Sequence, residues 1–347
     1  MADRKDLRPP DISELRDAMR CLSIGRFGLS PEVPGVMPTR AAHDPVMLDE
    51  MLSSLAVRPG GLYLDATFGV GGYSRAILAA GGSVLAIDRD PTAVARGREL
   101  AEESERFTIV QGRFGDVAHL LANQQIDQLD GAVFDLGVCS TQLDDAARGF
   151  SFSRSGPLDM RMSASGLSAA DVVNHADEAT LASILYRYGE ERASRRIARA
   201  IVEQRQKAAI ETTGELASLI AGVLGRRHDR IDPATRSFQA LRIEVNDELG
   251  ELERTLAAMP DLLAPGARLV VVSFHSLEDR LVKRFLSEHG DRRARPSRHL
   301  PDVPDRPQAL FRVLSSRAIR PAPSEIATNP RARSARLRVA ERLPKAV

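Results

Sequence analysis

The sequence predicts an α/β fold: a doubly wound, mostly parallel sheet with an inserted all-helical lobe. Three observations predict it. Short apolar runs alternate with helical patterns between Leu62 and Phe134, and a glycine loop follows the first run. After Asp135 the rhythm stops, and helical patterns follow one another without a strand until strand character returns at Arg268. Apolar runs separated by helices indicate a parallel sheet covered on both faces.

Residues 1–42 are rich in proline and charge, with one weak helical stretch near Ile12–Leu22, and read as a flexible N-terminal extension. Order begins at His43. Asp44 is placed as an N-cap with Pro45 at the first helical position, and Met47, Leu48, Met51, Leu52 and Leu55 recur at helical spacing. Leu62–Phe68 is the first strand and runs into the glycine loop; Ser74–Ala80 is the helix after it. Val84–Ile87 is a second strand stopping at Asp88, followed by a helix from Pro91 to about Glu103. Phe107–Val110 and Ala132–Phe134 are the third and fourth strands.

Residues 137–165 form a long polar loop, a length more often functional than accidental in a compact domain. Helices are expected at Ala169–His175, Glu178–Tyr188, Glu191–Lys207 and Thr213–Leu224, and as one long element from Ala234 to Met259. Arg268–Phe274 is a fifth strand. Gln308–Leu314 and Ala335–Ala340 are assigned to a terminal antiparallel hairpin. The organisation expected is therefore an extension over 1–42 and a sheet domain interrupted by an inserted all-helical lobe.

Composition excludes other classes. A chain of 347 residues has room for about two domains. With 43% hydrophobic and 27% charged residues, wholesale disorder is excluded; with 4% aromatics and no Trp, the core must be aliphatic. Two cysteines, Cys21 and Cys139, make no disulfide framework and suit a reducing compartment. The N-terminus lacks the apolar stretch of a secretory signal, and no run approaches the ~18 apolar residues of a membrane span. A soluble cytoplasmic protein is expected. The net charge of +1 conceals an asymmetry: residues 291–347 carry 14 Arg and Lys against 5 Asp and Glu, a local +9 that leaves −8 on the rest. Such an end is either a solvated tail or a surface for a polyanion.

The first loop reads Asp65-Ala-Thr-Phe-Gly69-Val-Gly71-Gly72-Tyr73-Ser74, and Asp88 ends the second strand 19 residues after Gly69. Glycines permit close backbone approach, the following helix offers free N–H groups, and a carboxylate at that strand end accepts from ribose hydroxyls. A nucleoside ligand fits. The loop is one small residue from a dinucleotide fingerprint, but Asp65 would repel a pyrophosphate and attract a cation, as the ammonium and sulfonium of S-adenosylmethionine require.

Across residues 43–343 the chain resembles the bacterial small-subunit ribosomal RNA (cytosine-N4)-methyltransferase family, RsmH or MraW. The segments that carry the resemblance include Asp65–Ser74, Asp88-Arg-Asp-Pro91, Asp135-Leu-Gly-Val, Arg148-Gly-Phe-Ser-Phe152 and Pro157-Leu-Asp-Met-Arg-Met162. Tyr188-Gly-Glu-Glu-Arg192, Phe238-Gln-Ala-Leu-Arg-Ile243, Ser273-Phe-His-Ser-Leu-Glu-Asp-Arg280 and Asn329-Pro-Arg-Ala-Arg-Ser334 extend it. The resemblance implies a class I (Rossmann-like) methyltransferase domain interrupted by a helical lobe. It also implies methyl transfer from S-adenosylmethionine to the N4 amine of a cytosine in the decoding region of 16S ribosomal RNA. Donor contacts carried over by motif are Gly71, Gly72, Tyr73, Asp88, Phe114, Asp135 and Gln142. Tyr73 stands where the family usually has His, and Cys139 and Thr141 replace its usual Ser and Pro.

Cytosine N4 is a poor nucleophile, so a site must accept hydrogen bonds from its hydrogens and take up a proton. Asp135 is the first candidate catalytic group, either orienting the amine or only positioning the donor. His275 is the second, as a proton relay or as a buried, hydrogen-bonded histidine. Cys139 would serve only a covalent route that an exocyclic amine does not need. No metal-ligand spacing is found among the histidines and cysteines. Phe150, Phe152 and Arg154 are candidates for a base lifted from its stack, unless both rings pack the lobe. Arg192, Arg195, Arg196 and Arg199 face phosphates or pair with Glu190 and Glu191. Arg331 and Arg333, with Arg336 and Arg338, form the basic cluster expected to meet RNA backbone.

The partner expected is small-subunit ribosomal RNA or the assembled 30S subunit; a homodimer is compatible with the sequence and a membrane is not expected. Two other classes compete. A nicotinamide-dependent oxidoreductase explains the sheet but not the lobe, and a non-catalytic ribosome-assembly RNA-binding protein explains the charge but not Asp65, Gly71 and Asp88 together.

Overall fold

The computed structural model describes residues 45–225, 232–291 and 308–345. The expected extension over 1–42, the Asp44 cap, Cys21 and the arginines of 292–307 lie outside the described residues.

The elements run α1 (Leu48–Leu55), β1 (Leu62–Asp65), α2 (Gly72–Ala79), β2 (Ser83–Asp88), α3 (Pro91–Glu103), β3 (Phe107–Gln111), α4 (Val117–Asn123), β4 (Leu129–Asp135) and α5 (Ser140–Asp144). The helices α6 (Ala169–His175), α7 (Glu178–Gly189), α8 (Ser194–Arg205), α9 (Thr213–Leu224), α10 (Thr235–Asn246) and α11 (Glu248–Leu262) follow without a strand. The chain closes with β5 (Leu263–Ser273), α12 (Ser276–His289), β6 (Phe311–Val313), α13 (Pro323–Thr328) and β7 (Arg336–Arg342).

Seven strands form one sheet in the order β3-β2-β1-β4-β5-β7-β6. The first five are parallel, and β7 inserts antiparallel between β5 and β6. The α/β class is as expected. So is the antiparallel pairing of the last two strands, although β7 also pairs with β5. Side chains alternate across the sheet as the period of two demands. Leu64, Leu85, Ile87, Phe134 and Val271 face one apolar layer with α4, α11 and α12; Tyr63, Val84, Ala86, Val133 and Val270 face the other with α1, α2 and α3. A third apolar cluster, including Val173, Leu181, Ile197, Leu216, Ile220 and Leu241, lies wholly within residues 150–241. Among the described residues no helix is long and apolar enough to cross a membrane.

Among the boundaries that differ from expectation, four have a local cause. Helix α1 starts at Leu48 because Met47 is left-handed (φ 54°) and donates its N–H to Glu325 Oε1 at 2.7 Å. The expected helix from Ala234 to Met259 is two, broken where Asp247 takes φ 52°. Helix α8 begins at Ser194, since Glu190 is left-handed and the Glu191 carboxylate accepts from Ala193 N–H at 2.8 Å. The polar loop over 137–165 contains the short helix α5, held by Gln142 Oε1 accepting from Cys139 N–H at 3.0 Å.

Candidate active site

The chain order reverses between β1 and β4, and the crevice at the carboxyl ends of these strands is where doubly wound sheets bind ligands. Three acids end the strands there. Asp65 is buried, and its carboxylate accepts from Ser74 Oγ at 2.7 Å; burial outweighs that bond and raises its pKa to about 6. Asp88 accepts from the N–H groups of Gly69 and Asp90, each at 2.8 Å, and burial raises it too. Asp135 donates its own N–H to Thr67 Oγ1 at 2.7 Å, which fixes the β4 end to the loop after β1. Its carboxyl is raised to about 8, first by burial and then by Asp65 and Glu278, and its Oδ1 is buried without a hydrogen-bond partner.

The glycine loop is shaped by its own packing. Gly71 takes φ 82° as the N-cap of α2, and a Cβ there would meet the Phe68 ring at 2.7 Å. A Cβ on Gly72 would overlap the Pro45 ring. Both substitutions would displace the wall of a cavity of about 580 Å³, a size that holds a nucleoside-sized ligand.

The opposite wall carries buried charge. Glu251 pairs with Arg89 at 2.9 Å and with Arg113 at 3.5 Å, and Glu248 grips Arg242 through both oxygens at 2.8 Å. Burial alone would raise Glu278; the His275 ring and the Arg242 guanidinium outweigh it and hold the carboxyl below its ordinary range. Each of these three glutamates thus has a cationic side chain beside it. Asp135 is left without a cation, so the cavity suits a ligand that brings a positive charge to that end.

The model of the MraW methylase family matches residues 40–343. This chain belongs to the MraW methylase family. It is 59% identical over 303 residues to the ribosomal RNA small subunit methyltransferase H of Paramagnetospirillum magneticum, covering 86% of this chain and 95% of that one. It is 56% identical over 306 residues to the protein of the same description from Rhodospirillum rubrum, covering 86% and 94%. The match to that from Acidiphilium cryptum is also 56%, covering 87% and 98%.

In this MraW-family methylase Gly72, Tyr73, Asp88, Phe114, Asp135 and Gln142 line one cavity, while Gly71 turns the chain behind it. The Tyr73 side chain is buried and its hydroxyl donates to the Val46 carbonyl, anchoring the segment before α1. The Gln142 amide is engaged by Asp90 Oδ2 at 2.7 Å and by Cys139 N–H, so it shapes the wall. Phe114 stands edge-on to Phe134 with ring centroids 6.2 Å apart.

His275 does not line the cavity. Its Nδ1 accepts the Glu278 N–H as the N-cap of α12, and its Nε2 lies 3.1 Å from Glu278 Oε1. The ring lies against Glu278 and outside the cavity lining, and its buried Nε2 has no hydrogen-bond partner among the described residues. Glu248, His275 and Glu278 bring ligand atoms within 4.8 Å of one another. Glu248 is already paired through both oxygens with Arg242, so a cation there would have to displace that guanidinium.

The RNA candidates are corrected in part. Phe150 is buried in the lobe's apolar cluster, and Phe152 packs edge-on against Phe238 with centroids 4.7 Å apart, so neither ring is offered to a base in this structure. Arg154 donates to the Asp144 carbonyl, and Arg196 to the Val223 carbonyl at 2.7 Å. Glu190 pairs with Arg280, not with the arginines of α8. Arg336 and Arg338 both grip Asp279 at 2.7 Å, and Arg331 pairs with Asp144 at 2.7 Å. Arg333 is exposed and without a partner among the described residues. Three of the four arginines of the Arg331–Arg338 cluster are thus ion-paired, two of them because β7 lies beside α12 and its acid.

Sequence reasoning missed several residues. Asp90 caps α3 through Thr92 N–H at 2.9 Å and also accepts from Gln142 and Arg148. Arg89, Glu251, Arg242 and Glu248 were equally hidden. The available signal was a charged residue inside an apolar helical stripe, as with Glu251 between Val245 and Leu252.

Proposed function

We propose that this methylase transfers the methyl group of S-adenosylmethionine to the N4 amine of a cytosine in the decoding region of small-subunit ribosomal RNA. The observation that carries the reading is Asp135: a carboxyl in the cavity wall at the switch point, with a buried oxygen that no group among the described residues satisfies.

When bound, S-adenosylmethionine supplies an activated methyl group and a positive charge. Asp88 would accept from ribose hydroxyls, Phe114 would pack against the base, and Asp65 and Asp135 would face the cationic end. The positive charge favours ionised Asp135, so binding near neutral pH drives the proton from its carboxyl. The carboxylate then accepts an N4–H, orients the amine lone pair and takes the proton released as the new bond forms. The methyl and the amine must meet at roughly 3–3.5 Å, and the loop over 137–144 and the lobe exclude water while they do.

We read residues 148–245 as the substrate-recognition lobe inserted between 43–147 and 246–347. Support comes from its separate apolar cluster and from Met162, Thr235 and Arg242, which carry it to the cavity. Arg154, Arg196, Arg331 and Arg333 remain the candidates for RNA backbone, with Arg333 the strongest because it is exposed and has no partner among the described residues. The acceptor is ribosomal RNA, free or in the 30S subunit, and the site of action is the cytoplasm. A nicotinamide-dependent reduction has no support in a methylase family.

The test is transfer from labelled S-adenosylmethionine to unmethylated small-subunit RNA with nucleoside analysis. N4-methylcytidine is expected; label at carbon 5 or on the ribose would reject the reading.

A further inference from the structure

We propose that Arg242 reads the acceptor base, its free Nη1 donating to ring N3 of the target cytosine while Asp135 receives the N4–H. The inference rests on the reading above and names the group that selects its substrate.

Arg242 lies on α10, the last helix of the lobe, and reaches the same cavity as Asp135. Its side chain is only 16% exposed. Nε and Nη2 donate to Glu248 Oε1 and Oε2, each at 2.8 Å, so the planar fork is fixed in orientation. Nη1 has no hydrogen-bond partner among the described residues and is not fully buried, and Arg242 lines the cavity. Glu278, on the Asp135 side, is held by the N–H groups of Phe274 and His275 at 2.8 and 3.2 Å and does not compete for it.

A ligand that satisfies both ends must present a donor to Asp135 and an acceptor to Arg242. The Watson–Crick edge of cytosine does so with N4–H and N3. Uracil presents the reverse, an O4 acceptor and an N3–H donor, and would set its N–H against a guanidinium. A site built on such bonds rejects a mismatched analogue far more strongly than an apolar pocket does. The competing partner for Nη1 is the carboxylate of the cofactor, and the experiment separates the two.

The test compares the wild type with Arg242→Lys, and with Arg242→Met in a Glu248→Gln background, which removes the charge Glu248 would otherwise leave unpaired if the single change unfolds the chain. S-adenosylmethionine affinity is measured by calorimetry. Transfer is measured on small-subunit RNA carrying either cytidine or 3-deazacytidine at the target. The expected result is cofactor affinity within twofold and kcat/KM lowered about 10- to 100-fold, with the 3-deaza substitution costing the wild type a similar factor and the variants little more. Three outcomes would overturn the inference: a matching loss of cofactor affinity, unchanged transfer, or effects that multiply. Wild-type enzyme that makes no N4-methylcytidine would instead defeat the proposed function itself.

Discussion

Thr67 Oγ1 accepts the backbone N–H of Asp135 at 2.7 Å, tying the end of β4 to the loop after β1. The backbone of Asp135 is therefore fixed while its carboxyl Oδ1 stays without a partner. The folded chain holds an acid in place and leaves its charge to be settled by what binds.

That arrangement links cofactor binding to proton release. With Asp135 raised to about 8, the carboxyl is mostly protonated at pH 7 before binding. Calorimetry in two buffers of different ionisation enthalpy should show close to one proton released on S-adenosylmethionine binding at pH 7, and less at pH 9. Asp135→Asn should abolish the release. Its turnover should fall by a factor of about 10²–10⁴, beyond the roughly tenfold loss of cofactor affinity that losing the proton linkage itself requires; a loss of affinity that accounts for the whole effect would restrict Asp135 to holding the donor.

The same group makes folding stability depend on pH. A carboxyl whose folded pKa is above its unfolded value of about 3.8 contributes fully below that value, and the contribution is lost as pH rises toward about 8. Asp65, raised to about 6, adds a loss over the lower half of that window. Asp135→Asn should raise Tm in the ligand-free protein more at pH 8 than at pH 5, by several degrees. An equal effect at both pH values would contradict the burial argument.

Gly71→Ala tests the loop. At φ 82° an alanine is strained, and its Cβ would press on the Phe68 ring at 2.7 Å. A loss of about 2–4 kcal/mol is expected from denaturant melts, together with weakened cofactor binding.

Arg148→Met tests the join between lobe and sheet. Arg148 pairs with the Asp90 carboxylate at 2.8 Å and donates to the carbonyls of Arg161 and Met162 at 3.0 Å. Its side chain is 23% exposed, so the loss should be about 2–3 kcal/mol, at or below the low end for a broken buried pair. Urea melts check it.

Cys139 lines the cavity, 3.2 Å from Thr141 Oγ1, yet transfer to an exocyclic amine uses no thiolate. Cys139→Ser should turn over within about twofold of the wild type. A large loss would revive a covalent route.

The sheet half of this site was legible because local patterns reveal it: apolar runs ending in Asp65, Asp88 and Asp135, with glycines where φ is positive. The lobe helices were legible from their periodicity; the caps that start two of them, Asp177 and Thr212, accept from Thr180 and Glu215 N–H. The break at Asp247 was not, because a single left-handed residue leaves the apolar period almost unaltered. Charge pairing was hidden for a different reason. Arg336 and Arg338 read as an RNA-facing cluster, but β7 lies beside α12, and that long-range contact hands both to Asp279. Phe150 and Phe152 sit in an arginine-rich segment that reads as surface, and only the packed lobe shows them facing inward.

The central claim is tested most directly by mass mapping of small-subunit ribosomal RNA from a strain lacking this gene. The account predicts that one decoding-region cytosine loses its N4 methyl group, that the wild-type gene restores it, and that the Asp135→Asn gene does not. Undiminished N4 methylation in the deletion strain would contradict it.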